Sequence, residues 1–367
     1  MFYDLYDGQL TIWAPIFANV TYLQYTKVFW IDQIFWMIEI SQLVISILFL
    51  WIFLIELCTH GIVHYNFLVI LTTIYVMYYI SMAARVVIFL IQFGYIEETG
   101  PSFPLFVQIA GFIRIHFLMF AVFAVFIVIV ERCFSTYYLR DYEQTKRGWI
   151  SFILLSNSLI LATIFAYLSI YISPSNVTMT FFPVFFTLIA LVGLSVSLYA
   201  FLHRYNYRFL RELNRTWRYD QYTLSTRFQI VENMRTLKLI GSFFLSCCIF
   251  VFVCAVIYFC SGLVQEFSKA SSQTACIFLE MSCALFINAI TWYILRAFPK
   301  IRESLKERLM RMFHLSRGNS IEDKRIAKWR MSADQETRTY FTQLETSWGL
   351  AINEKNPSTQ KSRESKI

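Results

Sequence analysis

Four ionisable side chains stand inside stretches that are otherwise apolar: Glu39, Arg85, Arg114 and Glu280. A charge withdrawn from water is costly unless it is paired or faces a wet cavity. Such residues therefore mark either buried ion pairs or a binding site. Counted at ~1.5 Å of rise per residue, Glu39, Arg114 and Glu280 fall in the outer third of the apolar segments that carry them. Arg85 lies level with them or slightly above. Two acids and two bases at one depth predict a shared polar cavity open to the outside. Gln108 and His116, flanking Arg114, add hydrogen-bonding groups. The rest of such a lining is aromatic and aliphatic, which suits a small, partly apolar ligand. A structural reading stands beside this one: Glu39–Arg85 or Arg114–Glu280 are buried pairs, with Arg85 snorkelling to the headgroups.

Other chemistry is thinly represented. No P-loop, GxSxG or HExxH occurs, and the five histidines His60, His64, His116, His203 and His314 are dispersed. The chain is not expected to be an enzyme, to bind a metal or to need a cofactor. The eight cysteines form no CxxC pair and lie mostly in apolar runs, where a free thiol acts as a small hydrophobe. Cys260 and Cys276 both fall near the outer face and could pair.

The elements that must position these side chains are membrane spans. Of 367 residues, 57% are hydrophobic and only 15% charged, against about 25% charged in a soluble domain. About 20 apolar residues are needed to cross the ~30 Å hydrocarbon layer. Segments 34–57, 65–90, 105–130, 149–172, 180–202, 239–262 and 274–295 meet that length. Their continuous apolar character, without period-two alternation, predicts helices rather than barrel strands. The expected fold is an all-α membrane protein, a seven-helix bundle. Residues 1–33 form its N-terminal segment, which lacks a signal peptide's basic n-region.

All but four of the 32 basic residues lie in 131–148, 203–238 or the region from Arg296 onward; the exceptions are Lys27, Lys269, Arg85 and Arg114. Positive charge marks the cytosolic side, so the N-terminus is expected outside and the C-terminus inside. The glycosylation sequons at Asn19 and Asn176 fall outside on this scheme, and that at Asn214 falls inside. The net charge of +8 is spread between and after spans, so it does not indicate nucleic-acid binding.

On the cytosolic face, Glu131-Arg132-Cys133 ends the third span where its apolar run stops. It resembles the acid–Arg–aromatic triplet of rhodopsin-like receptors, with Cys in the aromatic place. That likeness implies a switch in which Arg132 exchanges an intramolecular acid for a signalling partner. Positive-inside anchoring alone also accounts for an Arg there. From Tyr222 to Lys238, Leu224, Phe228, Val231 and Met234 recur at helical spacing, with Arg227, Glu232, Arg235 and Lys238 on other faces. The sixth helix is therefore expected to extend into the cytosol, with Glu232 a candidate partner for Arg132. After Pro299, Ile301, Leu305, Leu309 and Phe313 recur among basic residues. This pattern predicts an amphipathic helix over 296–316 on the inner leaflet, in contact with lipid. A mobile polar tail is expected over 317–367.

The block Glu131-Arg132-Cys133, with Phe134, Tyr137, Tyr138, Asp141, Tyr142 and Glu143 behind it, resembles the nematode serpentine chemoreceptors of class epsilon. So does Leu224 to Asn233 followed by Arg235 and Lys238. The likeness covers most of 1–310. It implies a seven-transmembrane sensory receptor for a small molecule, coupled to a heterotrimeric G protein, in the plasma membrane or the ciliary membrane of chemosensory neurons. It leaves assembly with itself or with another receptor open. Rhodopsin's Asn-Pro-x-x-Tyr is not met, since Ala289 follows Asn288. A ligand-gated channel, with Glu39 and Glu280 as a pore ring, or a transporter is the alternative function.

Overall fold

The computed structural model describes residues 2–5, 10–13, 18–27, 29–60, 64–96, 103–138, 147–170, 177–216, 230, 234, 237–238, 241, 244–257 and 270–312. Two short strands, β1 (Phe2–Leu5) and β2 (Leu10–Trp13), pair antiparallel, with Phe2 opposite Trp13. The helices are α1 (Val20–Gln24), α2 (Phe29–His60), α3 (Tyr65–Gln92), α4 (Phe103–Tyr137), α5 (Gly148–Ile170), α6 (Val177–Thr216), α7 (Phe244–Ile257), α8 (Ala270–Ala297) and α9 (Pro299–Met312). Residues 1–305 form one compact unit; residues 306–367 are a second, of which the end of α9 is described.

Among the described residues, six helices, α2 to α6 and α8, contain stretches long and apolar enough to cross a membrane. They are rich in β-branched and aromatic residues, which are poor helix formers in water. Lipid reverses that weighting, because every backbone group must find its partner within the segment. On α2, the buried residues Asp32, Trp36, Glu39, Leu43, Ser46, Leu50, Phe53 and Leu57 alternate four and three apart. This is the seam spacing of packed helices. The opposite face exposes Trp30, Met37, Val44, Leu48 and Trp51. So large an apolar surface would be an aggregation liability in water and is ordinary against lipid.

The long α4 runs through the middle, packed on α3, α5 and α6, while α2 packs on α8 and α3. Its central place explains why more of its apolar stretch is buried than of any other described span. Helix α3 ends where Gly94 takes a positive φ of 77°. The Gly94 N–H and the Tyr95 N–H then donate to Ile91 and Leu90 carbonyls at 3.1 and 2.9 Å. Left-handed backbone of this kind is the usual helix stop and favours glycine.

Three boundaries differ from the sequence reading. The expected N-terminal segment 1–33 contains the hairpin, α1 and the start of α2, which begins at Phe29 rather than 34. The region 203–238 does not begin as a loop, because α6 continues to Thr216. Leu202 and Asn206 stay buried one turn apart while Arg204, Arg208 and Arg211 are exposed, so an amphipathic stripe carries the helix past its apolar run. The described part of the sixth segment is the 14-residue α7. Isolated positions before it, Ile230, Met234, Leu237, Lys238 and Gly241, are helical. Helix α8 ends at Ala297 and α9 opens at Pro299, which takes the first helical position, where its missing N–H costs nothing.

Candidate ligand site and signalling face

The four charges singled out above converge. Each sits on the inward stripe of its own helix: Glu39 on α2, Arg85 on α3, Arg114 on α4 and Glu280 on α8. None is more than 3% exposed. Arg85 donates from Nε and Nη2 to the two Glu39 oxygens at 2.6 and 2.9 Å. Arg114 donates to Glu280 Oε2 from Nε at 2.7 Å and from Nη2, and from Nη1 to Ser81 Oγ at 2.7 Å. Arg85 Nε lies 4.0 Å from Glu280 Oε2, so the two pairs form one network. The Arg85 guanidinium also sits over the Phe89 ring, 4.4 Å from its centroid. Two-point bonds of a guanidinium to a carboxylate are the strongest of their kind. Here they tie four helices together.

Beside this network lies a cavity of about 230 Å³ between α3, α4, α6, α7 and α8. Its walls are apolar, with Ile115, Met119, Phe185, Phe250 and Phe286 prominent, and Glu280 borders it. The geometry therefore departs from the expected polar cavity. Of the four charges only Glu280 lines the space, while Glu39, Arg85 and Arg114 stand behind it, and the four together sum to zero. Gln108 and His116 do not join them. Gln108 Nε2 is buried without a partner among the described residues. His116 stacks on Phe112 at 6.0 Å and meets the Leu159 backbone of α5. It lies about 200° round the helix from Arg114, which explains why sequence proximity did not become spatial proximity. Cys276, a candidate for pairing with Cys260, is a free thiol on the cavity wall; Cys260 lies outside the described residues.

Several polar anchors were not anticipated. Ser81 is one helical turn before Arg85, so it shares that face; this spacing is the signal that could have found it. Asn288 of α8 donates to Gln42 Oε1 at 2.9 Å and accepts from Ser46 Oγ at 2.9 Å, joining α8 to α2. Tyr75 Oη and Thr291 Oγ1 are 3.0 Å apart across α3 and α8. Each is a polar group in an apolar run, the residue type that bonds across spans.

At the other end of α4, Arg132 donates to its own neighbour Glu131 at 2.5 and 2.7 Å, both side chains being buried. The Arg132 guanidinium lies 5.4 Å from the Phe67 ring centroid, and His64 Nδ1 is 3.9 Å from Glu131 Oε1. Around them Asn206 Nδ2 donates to Thr136 Oγ1 at 3.2 Å, and Ser151 Oγ to Asn66 Oδ1 at 3.2 Å. Helices α3 to α6 thus meet in one polar layer. Lys238 is helical and exposed; Arg227, Glu232 and Arg235 lie outside the described residues. On the opposite end, Asn19 caps α1, its Oδ1 accepting from the Tyr22 N–H at 2.9 Å. Its own N–H donates to Gln273 Oε1 of α8 at 2.9 Å. Asn176 lies outside the described residues.

Comparison with known proteins agrees with this architecture. A family model described as "Sre G protein-coupled chemoreceptor" matches residues 1–349. Among Caenorhabditis elegans proteins, serpentine receptor class epsilon-8 is 26% identical over 255 residues, covering 68% of this chain and 70% of that one. Class epsilon-1 is 24% identical over 303 residues, covering 78% and 82%. Class epsilon-33 is 26% identical over 380 residues, covering 92% and 96%. Helices fit to cross a membrane, cross-span polar bonds and a match along almost the whole chain lead to one identification: this chain belongs to the Sre family of serpentine G protein-coupled chemoreceptors.

Proposed function

We propose that the chain is a seven-span chemosensory receptor that takes a small, largely apolar molecule into the cavity beside Glu280 and signals to a heterotrimeric G protein. The observation that carries this reading is the position of the cavity. It lies between α4, held by the ion network, and α6 and α7, so an occupant touches helices whose far ends form the opposite face. Charge placement supports an N-terminus outside and a cytosolic C-terminus. For the seventh crossing, α7 covers only about 21 Å. The stretch 239–262 around it carries no charged residue, which supports a full span. The Glu131–Arg132 pair and the basic exposed face of α6, with Arg227, Arg235 and Lys238 after it, suit a docking surface for an acidic Gα segment. Glu39, Arg85 and Arg114 serve the site by holding Glu280 in place. The plasma membrane, including that of sensory cilia, is the compartment such a receptor requires.

The test is nucleotide exchange. Purified receptor in lipid nanodiscs with a Gα subunit is expected to accelerate GTP loading when an active odorant from a small-molecule panel is added. Ligand-driven ion flux in liposomes lacking any G protein would instead establish the channel or transporter alternative.

A further inference from the structure

We infer that the molecule taken by this cavity is neutral and carries one hydrogen-bond donor, an alcohol or phenol on an apolar body, with that donor bonded to Glu280 Oε1. The inference rests on the cavity being the ligand site and adds the chemical class of the ligand. Both bonds from Arg114 fall on Glu280 Oε2, and the contact from Arg85 is to the same oxygen. Oε1 of this cavity-lining residue is left without a hydrogen bond among the described residues. Among the described lining residues Glu280 is the one bearing charge. Competing acceptors on the wall are weak or occupied. The Tyr75 hydroxyl is engaged with Thr291, and the thiols of Cys247, Cys254, Cys276 and Cys283 are poor hydrogen-bonding groups.

Charge selects the rest. Glu39, Arg85, Arg114 and Glu280 sum to zero, so an ammonium or carboxylate would enter as an uncompensated charge in an apolar space and forfeit its hydration. A carboxylate would also meet Oε1 directly. A hydroxyl loses less water and gains a bond to a charged acceptor, the stronger class of hydrogen bond. Size follows from volume: an apolar cavity of about 150 Å³ accepts benzene, so about 230 Å³ takes a ring with a short side chain.

The experiment is saturable binding of radiolabelled 2-phenylethanol to the purified full chain in nanodiscs, competed by its methyl ether, by 2-phenylethylammonium and by phenylacetate. The alcohol should bind at least about tenfold more tightly than the ether, as the loss of one bond to a charged acceptor implies. The two ions should compete weakly or not at all. Ether and alcohol binding equally would overturn the donor assignment while leaving the cavity as a ligand site. Tightest binding by the ammonium ion would overturn neutrality. Absence of saturable binding by the whole series would sink the cavity reading itself. The paired variant Arg114→Met with Glu280→Leu removes both charges together. In it alcohol and ether should converge to within about twofold. Should that variant fail to fold, the series on the native chain decides alone.

Discussion

Removing one member of the Glu39–Arg85 pair should damage the protein far more than removing both. Arg85 reaches both Glu39 oxygens at 2.6 and 2.9 Å, and both residues are fully buried. Breaking a buried pair leaves an uncompensated charge and costs ~3–5 kcal/mol. The network makes the two losses unequal. In Glu39→Leu, Arg85 keeps Glu280 at 4.0 Å as partial compensation, so the cost should lie near the bottom of that range. In Arg85→Met, Glu39 loses the partner that binds it at two points, and the cost should lie near the top. The double variant replaces the pair by apolar groups of similar volume and should fall within about 2 kcal/mol of the native chain. The sum of the singles then exceeds the double by roughly 5 kcal/mol or more. Reversible unfolding in mixed micelles, read by tryptophan fluorescence, gives all four corners of the cycle. If the two single effects simply add to the double effect, the pair is not coupled and the reasoning fails.

Ser81→Ala takes away the acceptor of Arg114 Nη1 at 2.7 Å; it should cost about 1.5–3 kcal/mol in the same assay, whereas Ser197→Ala on the exposed side of α6 should be nearly silent. A Cβ at Gly241 would fall on the Tyr199 hydroxyl and 2.8 Å from ring carbon Cζ, so Gly241→Ala should cost ~1–3 kcal/mol by overpacking. Combining it with Tyr199→Ala should recover part of that loss, measured as a double-mutant cycle. Glycosidase-sensitive mass should map to Asn19 and Asn176 and not to Asn214. Modification at Asn214 alone would invert the topology. Independently of any glycan, Asn19→Ala removes the α1 cap and should cost about 0.5–2 kcal/mol.

Charge within apolar runs made much of the site visible in advance. Glu39, Arg85, Arg114 and Glu280 stand out in a background of Leu, Ile and Phe, and helical rise alone brings them to one level. Even the pairings Glu39–Arg85 and Arg114–Glu280 could be named as alternatives, because four charges admit few neutral combinations. What resisted reading was rotation. Whether Glu280 looks toward Arg114, toward the cavity, or toward both depends on how α8 turns against its neighbours, and an apolar run carries little phase information. The same gap explains Gln108 and His116, close to Arg114 along the chain and far round the helix. The apolar cavity was illegible for a related reason: its walls come from five helices, and no single segment shows that a space is left between them. The extension of α6 was hidden because its basic residues read as loop charge until Leu202 and Asn206 were seen on one buried line.

The bundle is held by unlike means on its two sides. Helices α2, α3, α4 and α8 are riveted through ions and amides, whereas α7 rests on rings, Tyr199 against Phe244 at 5.3 Å and Phe250 against Phe286 at 4.0 Å. Ion pairs have directions and break abruptly; stacked rings slide. On the proposed reading, a rearrangement provoked by a guest is expected to be taken up at α7, while the riveted half stays as the fixed jaw against which it moves.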